Sequence, residues 1–147
     1  MELLKRLYEI SSPSESEQLM REFIVTYCKS LGCKVQVDKV GNVYAKKGKS
    51  STFPCVVSHM DEVCPERPIG YKVMEVNGRL FGFDTINCTQ CGIGGDDKNG
   101  IWIALKCLNK YDVIKCAFFV GEEMGCIGSS DANMDWFKNC RFVVQCD

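Results

Sequence analysis

The residues best suited to chemistry fall in three short groups. His59, the only histidine of the chain, is followed two residues later by Asp61. Gly95-Asp96-Asp97-Lys98 forms the second group, and Glu122-Glu123 the third. The first group directly follows the apolar run Pro54-Cys55-Val56-Val57-Ser58, and the third follows Ala117-Phe118-Phe119-Val120. Both runs read as buried strands, and side chains at the ends of buried strands are where α/β proteins build their sites. Imidazole and carboxylate are the donors of a zinc site. His59 would supply the imidazole. On an extended segment Asp61 points to the same side as His59, where it can accept the second ring N–H and fix the tautomer. Asp96 or Asp97, on a glycine-rich turn entering a helix, can bind or bridge metal. Glu122 and Glu123 face opposite ways if extended, so one can ligate while the other serves as general base. Asp147, at the end of a third apolar run, can join the same rim. Singly these signals are weak, since acidic residues favour any helix start and glutamate pairs are usually solvated. Their recurrence at successive strand ends is the stronger signal.

The elements that must hold these groups are legible from periodicity. Leu3, Leu4, Leu7 and Tyr8 keep helical spacing until Ser11-Ser12-Pro13 breaks it. Ser14 with Glu17 fits a capping box for a second helix, which runs to about Ser30 with Leu19, Phe23, Ile24, Tyr27 and Leu31 on one face, closed by Gly32. Lys34 to Asp38 alternates as a half-buried strand, Gly41-Asn42 reads as a turn, and Val43-Tyr44-Ala45 returns. Residues 62–95 read as irregular, with short strands at Tyr71-Lys72-Val73 and Arg79-Leu80-Phe81. Lys98 to Lys110 is helical, Lys115 to Val120 a strand, Asp131 to Lys138 a short helix or turn, and Arg141 to Cys146 a third apolar run. Helices alternating with apolar strands predict an α/β fold: a three-layer sandwich with a mixed, largely parallel sheet and helices on both faces.

Composition narrows the function. With 147 residues, 46% hydrophobic and 25% charged, the chain is the size and make-up of one globular domain. Its 18 basic and 19 acidic residues give a net charge of −1, which argues against a nucleic-acid partner. No apolar stretch approaches the ~18 residues of a membrane helix, and Met1 to Ile10 lacks the pattern of a secretory signal. A cytoplasmic location with no membrane partner is the expectation. The 11 cysteines are odd in number and many lie in apolar runs, which predicts reduced structural thiols. Cys88-Thr89-Gln90-Cys91 has redox or zinc-knuckle spacing, but no second close pair follows. A loop near the metal rim is expected for it.

Three segments together resemble a known family: Ser58-His59-Met60-Asp61-Glu62-Val63, Gly92-Ile93-Gly94-Gly95-Asp96-Asp97-Lys98-Asn99-Gly100 and Gly121-Glu122-Glu123-Met124-Gly125-Cys126-Ile127-Gly128. They look like the amino-terminal part of the catalytic domain of the co-catalytic dizinc metallopeptidases, the peptidase T, carboxypeptidase G and acetylornithine deacetylase type. Leu7-Tyr8-Glu9-Ile10-Ser11-Ser12-Pro13-Ser14 and Asp38-Lys39-Val40-Gly41-Asn42-Val43 share the resemblance, and the Asp-Asp-Lys and Gly-Glu-Glu forms lean toward peptidase T. The resemblance implies His59 on the first zinc with Asp61 orienting it, Asp96 bridging two zincs, Glu122 as general base, Glu123 on the second zinc and Asp147 as a further first-zinc ligand. It implies hydrolysis of short peptides. Family members are longer, with an inserted lid and dimerisation domain and a carboxy-terminal return that brings a late histidine. Against that pattern this chain has one complete zinc site and an incomplete second one. Impaired peptide hydrolysis is the expectation, with a homodimer or a complementing carboxy-terminal chain as partner. A non-catalytic remnant or interaction module that keeps the half-fold is the alternative.

Overall fold

The computed structural model describes residues 1–147. Its elements are α1 (Glu2–Glu9), α2 (Gln18–Ser30), β1 (Lys34–Val37), β2 (Val43–Lys47), β3 (Phe53–His59), β4 (Tyr71–Val76), β5 (Arg79–Asp84), β6 (Thr89–Cys91), α3 (Gly95–Lys110), β7 (Ile114–Phe119), α4 (Ile127–Ser130), α5 (Met134–Phe137) and β8 (Cys140–Gln145). Five strands form the main sheet in the order β1-β2-β7-β3-β8. The apolar runs that cannot alternate, β3 and β7, lie near its centre, buried along almost their whole length, as strands covered on both faces must be. They pair in parallel with His59 opposite Phe119. That register sets the end of β3 beside the Gly121-Glu122-Glu123 turn that leaves β7.

The α/β reading and the mixed sheet stand, with one adjustment. The β1–β2 and β2–β7 pairs are antiparallel, and β7–β3 and β3–β8 are parallel, so the sheet is evenly divided rather than largely parallel. The connection 38–42, in which the Asp38 carboxylate accepts the backbone N–H groups of Val40, Gly41 and Asn42, returns the chain as a hairpin, and that hairpin supplies the antiparallel half. The two faces are also unequal. Helices α1, α2 and α3 cover one face over a core that includes Leu7, Met20, Ile24, Leu105, Leu108, Ile114 and Phe118, each fully buried apolar side chain contributing about 1.5–3 kcal/mol. On the opposite face Tyr44, Cys55, Val57 and Ala117 lie under Trp136 and Phe137, so the single turn of α5 provides the helical cover there. Along β8, Phe142, Val143 and Val144 are all about half exposed (46–52%), because this edge strand is covered on neither face.

Three local expectations are corrected. The buried stripe of α2 is Met20, Ile24 and Cys28, while Leu19 is 62% exposed; the face is rotated by one position from the one periodicity suggested. Ser14 does not cap α2; its hydroxyl donates to the Asp61 carboxylate at 2.8 Å, and the helix begins after Glu17 without a side-chain cap. Residues 62–95 also hold more order than expected. Tyr71–Val76, Arg79–Asp84 and Thr89–Cys91 pair as a separate antiparallel sheet.

Candidate metal centre

His59 closes β3 with its ring almost fully buried (3% exposed). Its Nδ1 is 3.2 Å from Asp61 Oδ1 and its Nε2 is 3.0 Å from Asp96 Oδ1. One ligand atom from each of His59, Asp96 and Glu123 falls within 4.8 Å of the others. Glu122 Oε2 lies 4.0 Å from His59 Nε2. The three segments singled out by spacing therefore converge on one imidazole at the carboxyl ends of two neighbouring parallel strands.

Asp61 is the hub behind this cluster. Buried to 1% exposure, it faces His59 Nδ1, accepts the Ser14 hydroxyl, and accepts the backbone N–H groups of Glu122 (2.9 Å) and Glu123 (3.1 Å). One carboxylate thus sets both the ring of His59 and the turn that aims the two glutamates. Burial disfavours its charge, but the bonds from His59, Glu122, Ser14 and Glu123 prevail and hold it at about 2. His59 responds in the opposite sense. Burial disfavours its protonation, but the hydrogen bond to Asp61, the charges of Asp97 and Asp61 and the contact with Asp96 lift it to about 9.

The neighbouring aspartates play different parts. Neither Asp96 nor Asp97 has helical backbone angles, although both lie in the first turn of α3, and their carboxylates diverge. Asp96 projects outward, with its side chain 66% exposed, to meet Nε2 of His59. Asp97 turns inward, accepting the backbone N–H of His59 at 3.1 Å and of Gly100 at 2.9 Å. Burial pushes Asp97 up to about 6, against the pull of those bonds. A Cβ at position 100 would collide with the Asp97 carboxylate, which is why the helix carries glycine there. Asp147 is not one of the three clustered donors; it lies at the exposed chain end, accepts a hydrogen bond from Gln145 at 3.2 Å and bears by its charge on Asp97 and Cys126.

Several side chains that build the site gave no local sign of it. Glu62 is 1% exposed; its Oε1 accepts Ser12 N–H and the Lys98 ammonium (2.6 Å), and its Oε2 accepts Arg67 (2.7 Å). Lys98 also donates to the carbonyl of Ile10. This buried group ties the turn after α1, the loop before α3 and the end of β3 together. Asn42, fully buried, accepts Val120 N–H and donates to Asp38 and to the carbonyl of Gly128, which moors the glutamate turn to the β1–β2 hairpin. A buried acid or amide beside a motif is the only signal that could have exposed these roles. Cys126 contributes a thiol that donates to Glu122 Oε1 at 3.3 Å. A cavity of about 120 Å³ lined by Val57, His59, Phe119, Glu122, Cys126 and Ser129 opens beside the imidazole.

All eleven cysteines are free. Burial drives the Cys28 thiol up to about 12, so it acts as packing. Cys88 ends the turn before β6 and Cys91 ends that strand, rather than lying in a loop at the metal rim, and neither belongs to a cluster of metal donors.

The donor set fits a metal. An ion with bonds of about 2.0–2.2 Å spans the gap between Nε2 and the two carboxylates. Asp61 supplies the outer carboxylate that histidine ligands commonly have, and the surrounding acids favour a cation. No helix is long and apolar enough to cross a membrane.

Comparison with known proteins bears on the fold. No family model matches the chain. Over 83 residues it is 37% identical to a protein of Pyrococcus furiosus provisionally described as a LysW-lysine/LysW-ornithine hydrolase, a match covering 56% of this chain and 24% of that one. A tripeptidase from Staphylococcus aureus superposes on 99% of the chain with a TM-score of 0.79 at 23% identity, and aminopeptidase PepT from Bacillus cereus on 97% with 0.77 at 19%. The chain accounts for 42% and 41% of those structures. The fold is therefore that of part of these peptidases, over nearly all of the chain.

Proposed function

We propose that this chain is the amino-terminal part of the catalytic domain of a zinc-dependent peptide hydrolase that removes amino-terminal residues from short peptides. The observation that supports the reading best is the convergence of His59, Asp96 and Glu123 on one point, with Glu122 alongside and Asp61 buried behind. His59, Asp96 and Glu123 would hold zinc, with Asp147 recruited to the first ion and Asp96 shared with a second. The ion, when bound, supplies a Lewis acid for the scissile carbonyl and lowers the pKa of water. Glu122 takes the proton of the attacking water and delivers it to the leaving amine. Asp61 keeps Nδ1 of His59 protonated and holds the backbone of Glu122 in place, so the base and the ligands share one support.

The chain spans 42% of the Staphylococcus tripeptidase and 41% of the Bacillus aminopeptidase. We assign it impaired turnover alone, and a homodimer or a complementing carboxy-terminal polypeptide as the partner that completes it. A cytoplasmic setting accords with eleven free thiols. The test is hydrolysis of tripeptides by the zinc-loaded chain, with and without a carboxy-terminal fragment of a related peptidase. Slow cleavage that rises with the fragment and falls at least ~10²-fold in Glu122→Gln is the expected result. Absence of cleavage in every combination would favour a non-catalytic module that keeps the half-fold.

A further inference from the structure

At the end of the sheet away from His59, three lysines stand side by side. In the β1–β2 hairpin Lys34 pairs with Lys46, and in the β2–β7 ladder Lys46 pairs with Lys115. Partners in an antiparallel ladder point to the same face, and adjacent strands are about 4.7–4.9 Å apart. Register therefore fixes three ammonium stems in one row across three neighbouring strands. Like charges directly opposite one another destabilise a sheet, so such a row calls for compensation. No carboxylate of the chain supplies it. None of the three lysines takes part in an ion pair. The one acid nearby, Asp135, is paired with Lys138 at 2.7 Å.

The row faces a cavity. Lys34, Gln36, Lys46, Lys115, Asp135 and Trp136 enclose about 340 Å³. Its floor is built rather than incidental. Lys115 is only 4% exposed, its ammonium donating to the carbonyl of Trp136 and to Asn139 Oδ1 and lying 4.3 Å from the centre of the Trp136 ring. Lys46 stacks over the buried ring of Phe53 at 4.6 Å. Burial, offset in part by the nearby Cys140 and Cys55 thiols and reinforced by the charge of Lys46, pulls the Lys115 ammonium down, the strain that an anion in the cavity would relieve.

We propose that this cavity is an anion site that takes a phosphate group, held by the register-locked row of Lys34, Lys46 and Lys115 against the wall of Trp136. Lys34 and Lys46 have donors free for the phosphate oxygens, while Lys115 supplies a fixed positive charge beneath them. The site is remote from the His59 cluster, so it does not depend on the hydrolase reading. The group can arrive as free phosphate or on a small organic molecule whose apolar part meets Trp136.

The test is calorimetric titration of the metal-free chain with inorganic phosphate and, separately, with phenyl phosphate, together with Lys34→Gln and Lys46→Gln. Lys34 is exposed and Lys46 half-buried, and the buried Lys115 is left intact so that the sheet folds. Saturable binding of phosphate at one site, weakened about tenfold by each substitution, is expected. Tighter binding of phenyl phosphate identifies an organic phosphate as the ligand, and equal binding identifies the free anion. No saturable binding, or binding unchanged in both variants while circular dichroism shows the native fold, would overturn the site.

Discussion

The carboxylate of Asp61 is the residue on which the candidate centre turns. It is bonded to His59, Ser14 and the backbone of both glutamates, so its loss acts on the metal ligands twice, through the ring and through the turn. Asp61→Ala is expected to weaken zinc binding by about 10–100-fold, read by competition with a chromophoric chelator, whereas Ser14→Ala removes one of four bonds and has the smaller effect. The imidazole gives a pH signature. Because His59 is lifted to about 9 in the folded chain from about 6.5 when unfolded, its contribution to stability is complete below pH 6.5. It is lost as pH rises through 9, a fall on the order of 3 kcal/mol. Urea denaturation of the zinc-free chain from pH 6 to pH 10 measures it. Zinc must displace that proton, so zinc binding should strengthen over the same range and release protons. His59, Asp61 and the Glu122-Glu123 pair were legible as a constellation because residue type and strand-end placement are visible in sequence, whereas the choice of Asp96 over Asp97 and the division of roles between the glutamates came only from the family resemblance. The hydroxyl of Ser14 was not legible. A serine three residues before a glutamate reads as a cap, and only tertiary structure shows the hydroxyl spent on Asp61.

At the scale of elements, two parallel strands do the positioning. The apolar runs of β3 and β7 announced themselves by continuous hydrophobicity, and the catalytic candidates follow from where those runs end. The linking devices were hidden, because they depend on partners distant in sequence: Glu62 with Lys98 and Arg67, and Asn42 with Val120 and Gly128. The three strands β4 to β6 were only partly visible, since their alternation is diluted by exposed positions on a sheet with little core of its own. The loop that enters α3 shows how tightly these parts are fitted. Gly94 has φ of +67°, and a Cβ there would strike the carboxylate of Glu62. Gly94→Ala should therefore cost about 1–3 kcal/mol from the left-handed backbone alone, and more from displacing Glu62. Chemical denaturation gives the loss, and a parallel drop in zinc affinity is expected because Asp96 lies two residues on.

For the molecule as a whole, the sheet has one well-covered face and one sparsely covered face, with β8 open at its edge. The α/β class was readable from the alternation of elements. The even split between parallel and antiparallel pairs was not, because strand order depends on long-range pairing that periodicity does not encode. The same architecture sets His59, Asp96 and Glu123 together within a chain that spans 42% of the tripeptidase it superposes on, so these 147 residues should by themselves form a metal-binding point. The most direct test is zinc content per chain, by elemental analysis after zinc loading and removal of free ion, for the unaltered protein and for His59→Ala. A site built on His59 predicts close to one zinc per chain, falling to near zero in the variant. A content near zero in the unaltered chain, or one that survives the loss of His59, would contradict it.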